Sequence, residues 1–90
     1  MSDSPKFYTV YILKSLKDNG YYYGMTSDIV TRMKSHNSGK VRSTKNRRSL
    51  EMLYSEQFES KTEALKREKF FKSIGGYNWL RKSRIIQKEE

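Results

Sequence analysis

The run KFYTVYILK, from Lys6 to Lys14, is rich in β-branched and aromatic residues and too short to read as a helix. It predicts a first strand. Asp18-Asn19-Gly20 follows as a turn, and Tyr21 to Thr26 reads as a second strand returning antiparallel to the first. After Ser27 and Asp28, both competent helix N-caps, the period changes. Ile29 and Met33 stand at i and i+4 with Val30 beside them, until Gly39 stops the run, so a helix over about Ile29 to Ser38 is expected. Leu50 to Phe58 carries apolar or aromatic residues at 50, 52, 54 and 58, the near alternation of a third strand with one buried face. Ser60-Lys61-Thr62-Glu63 is a capping box. It opens a helix with an apolar stripe of Ala64, Leu65, Phe71 and Ile74 and an expected stop at Gly75-Gly76. A short last helix, from about Asn78 to Ile86, has Trp79, Leu80, Ile85 and Ile86 as anchors. The order ββαβαα, with no repeat and no internal linker, predicts an α+β layer rather than a doubly wound parallel sheet.

Length and charge narrow this frame. Ninety residues form one domain with one modest core, expected over about residues 6–86, with residues 1–5 and 87–90 loosely ordered. The 19 Lys and Arg against 10 Asp and Glu give a net charge of +9, which points to a polyanionic partner, nucleic acid first. Solubility alone is the plainer explanation of such a balance. Five cations, Lys40, Arg42, Lys45, Arg47 and Arg48, fall in one segment without apolar periodicity, expected to be an exposed basic loop that contacts DNA phosphates. The absence of cysteine excludes disulfides and thiolate zinc sites. No apolar run approaches the length of a membrane span, and a cytoplasmic protein is the expectation.

Several residues are not explained by packing. Glu68 lies four after Ala64 and three before Phe71, so the helical period sets a carboxylate within an apolar stripe. Such a carboxylate is paired in an internal salt bridge, neutralised or bound to a cation, or else the stripe is rotated enough to leave Glu68 at its edge. Arg32 and His36, at i and i+4, share a helix face and suit a phosphate, although a solvent-facing pair would look the same. In NGYYYG, residues 19–24, the middle tyrosine faces away from its two neighbours. Its relation to Tyr11 depends on the hairpin. A two-residue loop at Asn19-Gly20 would leave Tyr11 and Tyr22 roughly 20 Å apart at the usual strand rise, whereas a longer loop would bring them side by side on one face, for example directly opposite each other.

The ordered set Thr9-Val10-Tyr11, Tyr22-Tyr23-Gly24, Arg32, His36 and Ala64-Leu65-Lys66-Arg67-Glu68 resembles the GIY-YIG endonuclease superfamily. It is most similar to the small stand-alone bacterial members, which are themselves similar to the N-terminal nuclease domain of a bacterial excinuclease. The likeness runs from about Phe7 to Lys72, and HNSGK, YSEQF and EALKREK strengthen it. It implies a three-stranded antiparallel sheet flanked by helices. It also implies a metal-dependent DNA endonuclease with little sequence specificity, used in DNA repair or processing. Tyr11 and Tyr22 correspond to the two motif tyrosines, Gly24 to the motif glycine and Arg32 to the catalytic arginine. Glu68 corresponds to the carboxylate that holds one divalent cation, Mg2+ or Mn2+, and His36 to a histidine proposed to assist proton transfer. Thr9-Val10 replaces the Gly-Ile that names the family, and Met25 stands where some branches carry a lysine. The resemblance implies DNA as partner, with no small-molecule cofactor and no membrane. The rival reading is a nucleic-acid-binding module of the same fold with little or no catalysis.

Overall fold

The computed structural model describes residues 7–86; the expectations for residues 1–5 and 87–90 lie outside them. Three strands, β1 (Tyr8–Ser15), β2 (Tyr21–Thr26) and β3 (Leu50–Phe58), form one antiparallel sheet in the order β2-β1-β3. Helix α1 (Ile29–Asn37) follows the hairpin, and α2 (Lys61–Phe71) and α3 (Ile74–Lys82) follow β3. This is the expected ββαβαα order and α+β class.

β1 is the central strand, which explains its unbroken apolar run: both faces are covered, and Val10, Tyr11, Ile12 and Leu13 are all fully buried. Val10 and Ile12 pack with Ala64, Phe71, Leu80 and Ile86. Tyr11 and Leu13 point the other way, into a smaller cluster with Leu50, against which Ile29, Met33, Tyr22 and Met52 pack. The sheet therefore separates a larger structural core from a smaller one that contains tyrosine hydroxyl groups.

In β3 the alternation predicts one buried face, and the structure shows two. Leu13 pairs with Met52 and Ile12 with Tyr54, so Leu53 is an extra residue in the strand. Such a bulge reverses the phase of the side chains, which sends Leu50 and Met52 to the smaller cluster and Tyr54 and Phe58 to the larger.

The two glycines expected to end α2 lie instead in the first turn of α3. Ser73 caps that turn by accepting from the Gly76 N–H. Gly76 is required by contact rather than by turn geometry, because a Cβ there would sit 1.8 Å from the carbonyl oxygen of Phe70. This rearrangement leaves Ile74 81% exposed, outside the stripe assigned to it, and Leu65 is also exposed. Leu80 and Ile86 are buried as anchors, with Trp79 and Ile85 packed against them.

Arg67 ties these elements together. Its Nε and Nη2 donate to the two carboxylate oxygens of Glu56 on β3, at 2.8 and 3.1 Å. The same guanidinium lies 4.7 to 4.8 Å from the ring centres of Phe70, Phe71 and Trp79. A bidentate, mostly shielded pair combined with cation–π stacking is worth more than a surface salt bridge. Arg67→Met is expected to lower stability by about 2 kcal/mol, because Glu56 loses its charged partner and keeps only the Tyr54 hydroxyl. Thermal unfolding measures this, and an unchanged midpoint would show that the clamp contributes nothing.

Candidate active site

The hairpin loop decides whether the two tyrosines can meet. The structure closes it with Ser15 and Gly20: the Ser15 N–H donates to the Gly20 carbonyl and the Asn19 N–H to the Ser15 carbonyl. The loop is therefore longer than Asn19-Gly20. Asp18 shapes it by accepting from the Gly20 N–H, and Ser15 Oγ accepts from the N–H groups of Lys17 and Asp18. The resulting register sets Tyr11 opposite Gly24 and Leu13 opposite Tyr22. Tyr11 and Tyr22 thus share a face as diagonal neighbours, not as a direct pair, with ring centres 6.2 Å apart. Tyr21 and Tyr23 pack on the opposite face, against the larger core.

Gly24 makes the diagonal arrangement possible. A Cβ at this position would lie 2.5 Å from the Tyr11 hydroxyl oxygen and 3.0 Å from a ring carbon of Tyr22. The Tyr11 ring lies across the bare backbone of β2.

Helix α1 delivers the next two groups. Asp28 caps it, accepting from the Thr31 N–H at 3.1 Å and the Thr31 hydroxyl at 2.8 Å, and Gly39 ends it at φ +85°. Between these ends Arg32 is half-buried and His36 fully buried, so neither is the solvent-facing residue that periodicity allowed. Arg32 Nε donates to the Tyr11 hydroxyl at 3.3 Å. His36 Nε2 lies 3.0 Å from the same oxygen, and the His36 ring also stacks edge-on to Tyr22 at 4.9 Å.

The partner of His36 Nδ1 is Thr44 Oγ1, at 2.8 Å. Sequence reasoning misses Thr44. It sits in the segment expected to be an exposed basic loop, yet it and Val41 are buried, and a short 3-10 turn, Lys45–Arg47, follows them. The apolar Val41 and its spacing of three to Thr44 are the signal that the segment offers. With the Thr44 hydroxyl turned toward the Val41 carbonyl, 3.4 Å away, Oγ1 is free to accept from Nδ1–H, and we assign His36 that tautomer. His36 Nε2 then carries the lone pair and accepts the Tyr11 O–H. The bonds run in one direction, from Arg32 through Tyr11 and His36 to Thr44. Thr44→Val keeps the shape but leaves a buried Nδ1–H without an acceptor, and is expected to cost about 1–3 kcal/mol. Imidazole nitrogen NMR shifts should show His36 losing its single Nδ1–H tautomer; a spectrum unchanged from the native protein would contradict the assignment.

The electrostatics follow from this packing. Burial raises the Tyr11 pKa above the ordinary phenol value; the Arg32 hydrogen bond opposes that shift, and the charges of Tyr22 and Glu68 add to it. Burial, with help from the Arg32 charge, lowers His36 below the usual imidazole value. Arg32 is held charged chiefly by its bond to Tyr11. A depressed histidine means that the unfolded chain takes up the proton first as pH falls. The stability that His36 contributes is complete above the ordinary imidazole pKa and is lost on acidification from about pH 6.5 toward its lower folded value. Melting temperatures between pH 5 and 7.5 should show this decline, and His36→Gln should flatten it.

Glu68 reaches the same neighbourhood from α2, near enough for its charge to be felt at Tyr11. Its side chain is 20% exposed and accepts an ion pair from Lys72 Nζ at 3.0 Å, one turn along the helix. Among the described residues there is no group of three or more His, Cys, Asp or Glu able to hold a metal. A closed protein cage is therefore not what Glu68 offers. A single carboxylate, displaceable from a flexible lysine, would supply one ligand to a divalent cation that keeps most of its waters.

Of the five cations expected to meet DNA, Lys40, Arg42, Lys45 and Arg48 are exposed. Arg47 is not available in the same way. It turns inward, pairing with Asp18 at 3.3 Å and donating to the Tyr21 carbonyl, and so braces the hairpin loop. No helix among the described residues is long and apolar enough to cross a membrane.

Several bacterial proteins are similar to this chain. A UPF0213 protein of Listeria monocytogenes serotype 4b is 40% identical over 81 residues, 89% of this chain and 88% of that protein. One of Staphylococcus haemolyticus is 47% identical over 60 residues, 66% of this chain and 72% of that protein. The solution NMR structure of the UPF0213 protein BH0048 from Bacillus halodurans superposes with a TM-score of 0.53 at 33% identity, covering 87% of this chain and 85% of that one. The GIY-YIG catalytic domain family matches residues 7–78, which takes in every strand, α1, α2 and all the side chains just described. With the motif tyrosines, glycine, arginine and glutamate on that matched span, the chain belongs to the GIY-YIG family.

Proposed function

We propose that the protein is a metal-dependent DNA endonuclease that hydrolyses phosphodiester bonds with little sequence specificity, used in DNA repair or processing. The observation that carries this reading is the convergence of Arg32 and His36 on one buried tyrosine hydroxyl, that of Tyr11, with Glu68 close by. Packing alone does not require such a set.

Hydrolysis needs a deprotonated water in line with the leaving oxygen, and compensation for the charge that grows on the phosphoryl oxygens. The Tyr11 oxygen is the base. Once substrate binding admits a water to this buried oxygen, it passes its own hydrogen to His36 Nε2 as it accepts one from that water, so no free phenolate has to exist at neutral pH. The direction of the hydrogen bonds favours Tyr11 over Tyr22 for this step. Nδ1–H bonding to Thr44 steadies the imidazolium that results. Arg32 keeps its Nε on Tyr11 and extends its remaining N–H groups to a non-bridging phosphate oxygen. A divalent cation on Glu68 would supply the remaining charge neutralisation at the scissile phosphate and leaving oxygen. Lys40, Arg42, Lys45 and Arg48 hold the DNA backbone.

The test is nicking of supercoiled plasmid, and cleavage of single-stranded DNA, with Mg2+, with Mn2+ and with chelator. Metal-dependent nicking that drops by about 10²–10³ in Arg32→Ala supports the enzyme. DNA binding without cleavage on either substrate would leave only the binding module of the same fold.

A further inference from the structure

Where β1 turns into β2 and β3 begins, a cavity of about 410 Å3 opens to solvent, lined by Lys17, Asn37, Lys45, Asn46, Arg48 and Ser49. Three of its residues are cations and none is a carboxylate. Among the described residues three cations outside it are held by acids, Arg47 by Asp18, Arg67 by Glu56 and Lys72 by Glu68, whereas most of the others, like those of the cavity, are not. Among the described residues Lys17, Lys45 and Arg48 have no such partner.

The cavity is built rather than incidental. Lys17 Nζ donates to the Asn46 carbonyl at 3.1 Å and Arg48 Nε to the Lys45 carbonyl at 3.0 Å. Each bond uses one N–H to fix a side chain and leaves the others of that group for a ligand. Asn37 holds the start of β3 against the end of α1, accepting from the Leu50 N–H at 2.9 Å and donating to its carbonyl at 3.2 Å. Two of the lining residues, Asn37 and Lys45, directly follow His36 and Thr44. The cavity and the tyrosine site thus draw on neighbouring residues of the same two segments.

We propose that this cavity binds a phosphodiester group of a nucleic-acid backbone, a second phosphate contact on the same molecule whose other phosphate reaches Arg32 and Glu68. The proposal rests on the nucleic-acid reading above and adds Lys17, outside the basic segment, to the contact surface. Several converging cations with free N–H donors match an anion with unshared oxygens. A polymer fits better than a small anion, because the cavity is open and shares two chain segments with the tyrosine site.

Two double variants of the full chain remove the same charge from different places. Lys17→Gln with Lys45→Gln takes two cations from the cavity, and Lys61→Gln with Lys82→Gln takes two exposed cations from α2 and α3. Binding of a labelled DNA duplex is measured in chelator over a range of salt. The cavity pair is expected to lose about tenfold in affinity at low salt and to flatten the slope of log K against log salt by about 1–2, with a change of well under 1 in the helix pair. Equal losses in both pairs, or none in either, would overturn the proposal. A third arm titrates inorganic phosphate against the amide NMR shifts of Asn37 and Ser49. Saturation there, with duplex binding indifferent to the cavity pair, would make it a small-anion site and also overturn the proposal. Cleavage of the same DNA with Mg2+ keeps the two readings apart: cavity-dependent binding without cleavage removes the nuclease alone, and cleavage with cavity-independent binding removes this site alone.

Discussion

Glu68→Gln is expected to abolish metal-dependent nicking, lowering it by at least about 10³, while leaving the fold and the binding of DNA intact. The substitution keeps the side-chain volume and removes the carboxylate that, among the described residues, acts on Tyr11. Nothing else among the described residues is arranged to replace it, since both nitrogens of His36 are already bonded, to Tyr11 and Thr44. The structural cost is small. The ion pair lost is an i, i+4 contact to Lys72, whose side chain is 53% exposed, and such pairs contribute about 0.3–0.5 kcal/mol. Binding in chelator should hold or rise slightly, because a negative charge beside the phosphate has gone. Native rates of nicking by Glu68→Gln, on plasmid or single strands, would remove the carboxylate from the reaction and the proposed mechanism with it.

The second large effect is on stability. Gly76→Ala is expected to lower it by about 3 kcal/mol, enough to drop the melting point by more than about 10 °C in a domain of this size. The added methyl would meet the Phe70 carbonyl oxygen at 1.8 Å, its carbon at 2.5 Å and the Phe71 Cα at 2.7 Å. All three are backbone atoms and cannot rotate away. Helices α2 and α3 would have to part, opening the packing of Phe71, Trp79 and Leu80. Gly75→Ala, one residue earlier, is the control. Its nearest neighbours lie at 3.8 and 3.9 Å, ordinary contact distances, and within a helix alanine is preferred to glycine by roughly 0.5–1 kcal/mol. The two neighbouring substitutions should therefore shift thermal unfolding in opposite directions. A Gly76→Ala protein that melts with the native one would mean that the helices are not this close.

Much of the fold is legible in the sequence because strands and caps are local signals. β2 and β3 fall where composition and alternation set them, and Asp28 and Ser60 cap the helices they precede. The departures have a common cause, contacts between distant segments. The Leu53 bulge is set by pairing with β1, and nothing in LEMLYSEQF marks it. Gly75-Gly76 reads locally as a stop, and only the approach of α2 shows that the second glycine is a point of contact. The candidate site is partly visible for the same reason. Spacing sets Arg32 and His36 on one face, and the motif resemblance brings in Tyr11, Tyr22, Gly24 and Glu68, but the tyrosine register depends on a loop closed by Ser15 and Gly20. Thr44 is hidden by the five cations around it, and Arg47, one of those cations, is a brace.

The site draws on segments that leave the ribosome at very different times. Tyr11, Tyr22, Arg32 and His36 are all present once α1 has been made, whereas Glu68 arrives on α2, whose seat on the sheet requires β1 with Val10 and Ile12 already in place. A nascent or prematurely ended chain would carry the proton-handling half of the machinery without its carboxylate. In the reaction proposed above, cutting thus waits until α2 has been made and seated against β1.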